Sequence, residues 1–421
     1  MKKLLVYREI VLAVLDFRIR CALMAHVIID KNCSETAMKI YEVGGAVRDE
    51  LLRLPVKDRD YVVVGATPEE MTRLGYRPVG KDFPVFLHPQ SHDEYALART
   101  ERKTARGYRG FQVYAAPDVT LEDDLRRRDL TINAMARDAQ GQLIDPHGGE
   151  RDLRAQVLRH VSEAFAEDPV RILRVARFAA RYGDFSIAPE TLALMQAMAA
   201  NGEVDALVAE RVWQELAKGL MEAKPSRLFE VLIEAHALNR IVPEFATLDP
   251  SHTALQNLDA AAHDGAPFAV RYATLTATID GRRRPPSAAF QHDAANTPVL
   301  AVSQRLRVPS DCADLAKLTL RWIAAVEQAR TLAPQALLEL LIGADGLRRP
   351  QRFRDLLSVC GYVSGAQTAP EISYLIQAQT ALASLDTKSV VANAQSSAEI
   401  PALIHAAQLA AIKDFIETKR A

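Results

Sequence analysis

Asp58 and Asp60 flank a single arginine, Arg59, and lead into the β-rich run Tyr61-Val62-Val63-Val64. On an extended chain the side chains at i and i+2 point the same way, so the two carboxylates converge on one face. Paired carboxylate oxygens suit magnesium, a hard cation with oxygen ligands. Phosphoryl and nucleotidyl transferases use such pairs to hold two metals, one activating an attacking hydroxyl and the other steadying the departing pyrophosphate. A charged, solvated strand entrance has the same composition, and an isolated Asp-x-Asp more often means only that.

Three further constellations offer anion-binding groups. Gly44-Gly45-Ala46-Val47-Arg48-Asp49 follows a β-run and opens a helix. Glycines there let backbone amides approach a phosphate, and the helix N-terminus favours negative charge. The spacing is not that of a dinucleotide fingerprint, and a tight strand-to-helix turn explains it equally well. Arg126-Arg127-Arg128, ahead of Asp129 and Asn133, could clamp a triphosphate through guanidinium forks. It could also be a basic helix face paired with Glu122, Asp123 and Asp124. In Asp168-Pro169-Val170-Arg171, Asp168 is a good N-cap and Pro169 a good first helical residue. Yet Arg171, Arg174 and Arg177 recur every third residue, so neighbours stack one turn apart while the series drifts round the helix. An apolar core does not accommodate three arginines, which points to a phosphate or base partner.

The elements that must position these residues fall into two regimes. From Lys39 to about His160 strands and helices mix: Lys39–Val43, Tyr61–Val64, Tyr95–Leu97 and Phe111–Tyr114 read as strands. Thr67-Pro68-Glu69-Glu70 reads as a capping box opening a helix. Glu101–Gly110 is charged and weakly patterned, and reads as a mobile loop. Beyond Asp168 apolar residues take helical spacing over 171–182, 190–199, 209–222 and 226–237. The segment 280–298 reads as a long loop and the remainder as Ala/Leu-rich helix.

Composition bounds the rest. With 421 residues the chain should hold two to four domains, and 49% hydrophobic with 25% charged residues is globular composition. That excludes a disordered chain, a collagen-like fibre and a coiled-coil rod. The net charge is −1, so a nucleic-acid surface must come from local patches. Cys21, Cys33, Cys312 and Cys360 are scattered, which argues against a zinc site or a disulfide framework and for a reducing cytoplasm. No apolar run is long enough to span a bilayer. Arg8, Glu9, Asp16, Arg18 and Arg20 interrupt any signal-like core. Residues 1–37 read as translation upstream of a start at Met38, outside the fold.

In their order along the chain, GGAVRD, KDRD, ALARTERK, RRRDLTINA, DPHGGERDL, EDPVRILRVARF and the segment Glu210-Arg211-Val212-Trp213 resemble the bacterial class II tRNA nucleotidyltransferases. These are the CCA-adding enzymes, within the DNA polymerase β-like superfamily. Close similarity runs from Met38 to about Phe245. The resemblance implies an α+β fold: a polymerase β-like head of small mixed sheet and helices over 38–160, a helical neck and body over 161–245, and a helical body and tail over 246–421. It implies that Asp58 and Asp60 are the catalytic, metal-binding pair, with Glu94 as a third carboxylate. Gly45 and Arg48 match the phosphate turn, and Arg128 a nucleotide contact of the head. Asp168 and Arg171 match the pair that reads the incoming base, and Arg174 and Arg177 further nucleotide contacts. The implied cofactor is Mg2+, the substrates CTP and ATP, and the partner the acceptor arm and 3′ end of tRNA rather than DNA or a membrane. A loop of full length at Glu101–Gly110 implies complete CCA addition. A bacterial poly(A) polymerase, which shares the head, is the alternative, and a non-catalytic RNA-binding protein on the same scaffold a third.

The chemistry of base reading is straightforward. Cytosine and adenine each present an amino donor beside a ring-nitrogen acceptor. Asp168 can accept from the first while Arg171 donates to the second. Uracil and guanine present the opposite order and would set a carboxylate against a carbonyl, at a cost of roughly 1–3 kcal/mol or more.

The chain departs from many relatives in its C-terminal half, where a His-Asp phosphohydrolase domain is expected. The expected His-Asp pair falls at Ala277-Thr278, which cannot bind metal; His263-Asp264 reads as part of a loop before a proline, out of register, and His292-Asp293 is isolated. Phosphohydrolase activity is therefore expected to be absent.

Overall fold

The computed structural model describes residues 38–79, 85–103, 111–280, 298–392 and 396–420. Expectations for residues 1–37, for His292-Asp293 and for the larger parts of the 101–110 and 280–298 loops lie outside these.

The head is built on strands β1 (Lys39–Val43), β2 (Asp60–Val64), β3 (Arg77–Val79), β4 (Val85–Leu87), β5 (Glu94–Leu97), β6 (Thr100–Lys103), β7 (Phe111–Tyr114), β8 (Ala136–Arg137) and β9 (Leu143–Ile144). Seven of them form one mixed sheet in the order β3-β4-β5-β2-β1-β8-β9. Its single parallel pair is β2 with β5, which sets Asp60 directly beside Glu94. At the centre of the sheet both faces are covered, since Val62 and Val63 of β2 point to opposite sides and both are buried. Val62 packs with Val43, Ala98, Leu125 and Ala136 on one side. Val63 packs with Met71, Phe86 and Leu97 on the other.

Helix α1 (Gly45–Leu51) follows β1, α2 (Pro68–Arg73) crosses between β2 and β3, α3 (Leu121–Arg126) follows β7, and α4 (Gly149–Arg154) follows β9. The capping box at Thr67 is present: its hydroxyl accepts from the Glu70 N–H at 3.3 Å, and the Glu70 carboxylate accepts from the Thr67 N–H at 2.9 Å. A second one, Thr120 with Asp123, opens α3. The expected loop at 101–110 begins as a strand instead, because Thr100–Lys103 ladders antiparallel with Phe111–Tyr114. Backbone pairing asks for no particular side chain, so charged composition hid it.

Helices α5 (Val170–Arg181), α6 (Pro189–Ala200), α7 (Ala209–Leu220) and α8 (Ser226–Glu234) follow, joined to the head by the parallel pair β10 (Val157–Leu158) and β11 (Ser186–Ile187). They begin and end close to the expected bounds. Among the described residues the helices continue through α9 (Leu238–Ile241), α10 (Thr253–His263) and α11 (Phe268–Asp280) to the helix Ile400–Arg420. The main hydrophobic core is continuous from Val47 in the head to Ile416 in the tail. No helix of the described residues is long and apolar enough to cross a membrane.

The expected phosphohydrolase position lies on α11. There the Thr278 hydroxyl donates to the Thr274 carbonyl at 2.8 Å, and Asn257 of α10 donates to Thr278 at 3.4 Å. His252 caps α10, its Nδ1 accepting from the Ala254 N–H at 3.1 Å. His263 was expected in a loop. It is instead the last residue of α10, since the Ala- and Leu-containing run before it carries the helix up to the positive-φ turn at Gly265.

Candidate active site between head and neck

A cavity of about 900 Å³ opens between the sheet of the head and helices α5 and α7. Asp58, Asp60, Glu94, Gly45, Arg48, Arg128, Asp168, Arg171, Arg174 and Arg177 all line it.

Its acidic side is the edge of the sheet. Asp60 is the first residue of β2 and Asp58 lies just before it, while Glu94 is the first residue of the parallel neighbour β5. Partial burial, with the Asp58 charge adding and Arg128 opposing, lifts the Asp60 carboxyl above its ordinary value. Among the described residues no three His, Cys, Asp or Glu side chains close round a point as a metal cage does. Two carboxylates side by side at a cavity mouth fit a magnesium that takes its remaining ligands from phosphate oxygens and water.

The turn into α1 brings the backbone close. Gly44 has φ +73, and a Cβ there would stand 2.9 Å from Arg128 Nη1. Arg48 is buried; its Nε donates to Asp49 at 2.9 Å and its Nη1 to the Asn133 side chain. Asp49 also accepts from Arg181 at 2.9 Å and from the Tyr182 hydroxyl at 3.2 Å, tying α1 to α5. The triple arginine divides. Arg127 and Arg128 line the cavity and share Asp124, each at 3.1 Å, whereas Arg126 ends α3 in solvent. Burial alone would raise the Asp124 carboxyl, but the two arginines more than offset it and hold it below its usual range.

The basic side is α5, and carboxylates anchor its arginines. Arg174 Nε donates to Asp129 at 2.7 Å and Arg177 Nε to Glu215 at 2.6 Å. Asp129 is fixed in turn by the Asn133 amide at 3.0 Å and the Leu130 N–H at 2.8 Å. The two arginines are therefore aimed before any ligand arrives.

Asp168 and Arg171 lie at the start of α5, and each has other partners. Both Asp168 oxygens receive Arg211 of α7, at 3.0 and 2.7 Å, and Oδ1 also accepts the Val170 N–H at 3.1 Å. Arg171 donates to the Ala164 carbonyl at 2.8 Å and the Arg127 carbonyl at 2.6 Å. Asp124 is one of the three carboxylates that the sequence offers as partners of the triple arginine; Asp49, Asp129 and Arg211 stand in the motifs without a role of their own, and Glu215 is not among the sequence candidates. Arg211 and Glu215 carried the one usable signal, an i, i+4 pair on one face of a helix.

The sequence matches two families, "Poly A polymerase head domain" over residues 40–159 and "Probable RNA and SrmB- binding site of polymerase A" over 184–248. A multifunctional CCA protein of Chromobacterium violaceum is 53% identical over 399 residues, covering 89% of this chain and 98% of the relative. One from Dechloromonas aromatica is 51% identical over 405 residues, covering 90% and 98%. The fold matches the Thermotoga maritima CCA-adding enzyme complexed with tRNA at a TM-score of 0.65, with 22% identity over 90% of this chain and 88% of that one. It also matches the Bacillus stearothermophilus CCA-adding enzyme in complex with CTP at 0.64, with 23% identity over 91% and 94%. With half its residues identical to these relatives along nearly their whole length, the chain belongs to the family of the multifunctional CCA proteins.

Proposed function

We propose that the protein builds and repairs the 3′-terminal CCA of tRNA without a nucleic-acid template, using CTP and ATP and releasing pyrophosphate. The observation that carries this reading is the opposition, across one cavity, of the Asp58/Asp60 edge and the anchored arginine row of α5. Asp58 and Asp60 would hold Mg2+, with Glu94 beside them. A cation held there would supply charge neutralisation for attack of the tRNA 3′-hydroxyl on the α-phosphate and for the departing pyrophosphate. Gly45 and Arg48 orient the triphosphate, and Arg128 holds the nucleotide from the head side. Arg174 and Arg177 are pre-aimed by Asp129 and Glu215, so they complete the nucleotide site with little loss of side-chain freedom.

Asp168 and Arg171 read the base, and Arg211 belongs with them. A bidentate arginine holds the Asp168 carboxylate in one plane, leaving its remaining lone pairs for the amino group of cytosine or adenine. The working division is a head over 38–160, a neck and body over 161–245 and a tail over 246–421, the helical parts gripping the acceptor arm through phosphates and shape. The compartment is the cytoplasm.

The test uses purified protein, magnesium and tRNA lacking CCA, with CTP and ATP supplied separately and together. Two C additions followed by one A are expected. Extension by ATP alone on unrelated RNA would identify a poly(A) polymerase instead. We further propose that the tail has no phosphohydrolase activity, because Ala277 carries no ligand and the Thr278 hydroxyl is engaged by its own helix. Hydrolysis of a 2′,3′-cyclic phosphate with added nickel or magnesium would refute this.

A further inference from the structure

Arg59 stands between the two cavity carboxylates. Asp58 and Asp60 line the cavity, and alternation along an extended chain sends the residue between them the other way. Its guanidinium there makes a fork. Nη1 donates to Glu42 of β1, and Nη2 donates to Glu50 of α1 at 2.8 Å. The other Glu50 oxygen lies 3.4 Å from Arg137 Nε of β8.

The position of this fork matters. The ladder between β1 and β2 ends at the pair Val43–Asp60. Asp58 and Arg59 precede it, so strand pairing holds Asp60 but does not reach Asp58. The fork ties that segment to β1, which runs into the Gly44 turn, and to α1, which carries Arg48.

We infer that Arg59 is a positioning residue: by bridging Glu42 and Glu50 on the side away from the cavity it fixes Asp58 beside Asp60 for cation binding. This rests on the reading of Asp58 and Asp60 as the cation-holding pair. A lysine can serve one glutamate as a point charge but cannot fork between both.

The test titrates Mn2+ into the unliganded full chain, followed by the loss of the free-ion electron paramagnetic resonance signal. Wild type is compared with Arg59→Ala, Arg59→Lys and Asp58→Ala, and CTP binding is measured in parallel in EDTA. Arg59→Ala should weaken Mn2+ binding about tenfold and raise the Mg2+ needed for half-maximal CMP incorporation by a similar factor. CTP affinity in EDTA should stay within about twofold of wild type, and Arg59→Lys should recover part of the loss. Wild-type Mn2+ affinity in Arg59→Ala overturns the inference. So does a loss of cation and CTP binding together with the thermal midpoint, which would mark a structural role alone. If wild type shows no Mn2+ site that Asp58→Ala removes, the cation-holding pair itself is wrong, and the inference falls with it.

Discussion

Side chains at this cavity are held by partners chosen for charge and shape, and single substitutions should separate their roles. Asp58→Ala or Asp60→Ala should reduce nucleotide incorporation by about a thousandfold or more, since cation stabilisation of the transition state is worth several kcal/mol. Filter binding of tRNA should persist, because phosphate contacts and shape carry that affinity. Retained incorporation in both variants would end the two-carboxylate reading. Arg211→Ala has a different signature. It frees the Asp168 carboxylate that the fork now holds at 3.0 and 2.7 Å. Competition assays should then find a fall in kcat/KM for CTP and ATP and a rise in UTP incorporation, narrowing discrimination about tenfold. Arg211→Lys should not restore selectivity, because an ammonium cannot make the two parallel bonds.

At the scale of elements, close approaches decide what can be substituted. Gly44 turns β1 into α1 at φ +73, a region costly to other L-residues, with Arg128 Nη1 2.9 Å from where a Cβ would lie. Gly44→Ala should cost about 1–3 kcal/mol in chemical denaturation, and by displacing Arg128 it should also weaken CTP binding. A change in stability with no change in CTP affinity would separate the turn from the nucleotide site. Gly219 is a packing glycine. A Cβ there would sit 2.0 Å from Leu228 Cδ1, where α7 meets α8. Gly219→Ala should cost about 1–3 kcal/mol by overpacking, read as a lower thermal midpoint. Gly44 and Gly45 were legible in the sequence because they interrupt a strand-to-helix passage. Gly219 was not: within a helical pattern nothing marks which glycine faces another helix.

Across the whole molecule, the head is fastened to the neck through the same residues that shape the cavity. Asp49 receives Arg181 and Tyr182, the Arg127 carbonyl receives Arg171, and Asp129 receives Arg174. Desolvation alone would raise the Asp129 carboxyl, but the Arg174 charge and the hydrogen bonds from Asn133, Arg174 and Leu130 more than offset it and hold it well below the usual carboxylate range. A carboxyl depressed in the folded state contributes stability that is complete above its unfolded value, about 4, and is lost as pH falls through the folded one. Asp129→Asn should therefore lower stability by about 2 kcal/mol near neutral pH. That deficit should shrink only below about pH 4 in urea titrations at stepped pH. A deficit that varies with pH between 5 and 8 would mean another group is responsible.

Much of the fold and of the candidate site was legible because it depends on local rules. Short β-rich runs became β1, β2, β5 and β7. Helical spacing placed α5 to α8 within a few residues of their ends, and the Thr67 box formed as written. The Asp58/Asp60 pair, the Gly44-Gly45 turn and the arginine row were visible because each lies within a few residues of chain. What stayed hidden depends on long-range partners. Alternation places Asp58 and Asp60 on one face, but only the parallel register of β2 with β5 sets Glu94 beside Asp60. The row Arg171, Arg174, Arg177 is a feature of one helix. Which carboxylate aims each arginine depends on docking Asp129 of the head and Glu215 of α7 against that helix. The sequence by itself determined which chemistry this protein is equipped for, since residue type and short spacing suffice for that. Only the tertiary structure decided which charges meet, because an ion pair is a matter of angstroms and its partners here lie up to 132 residues apart along the chain.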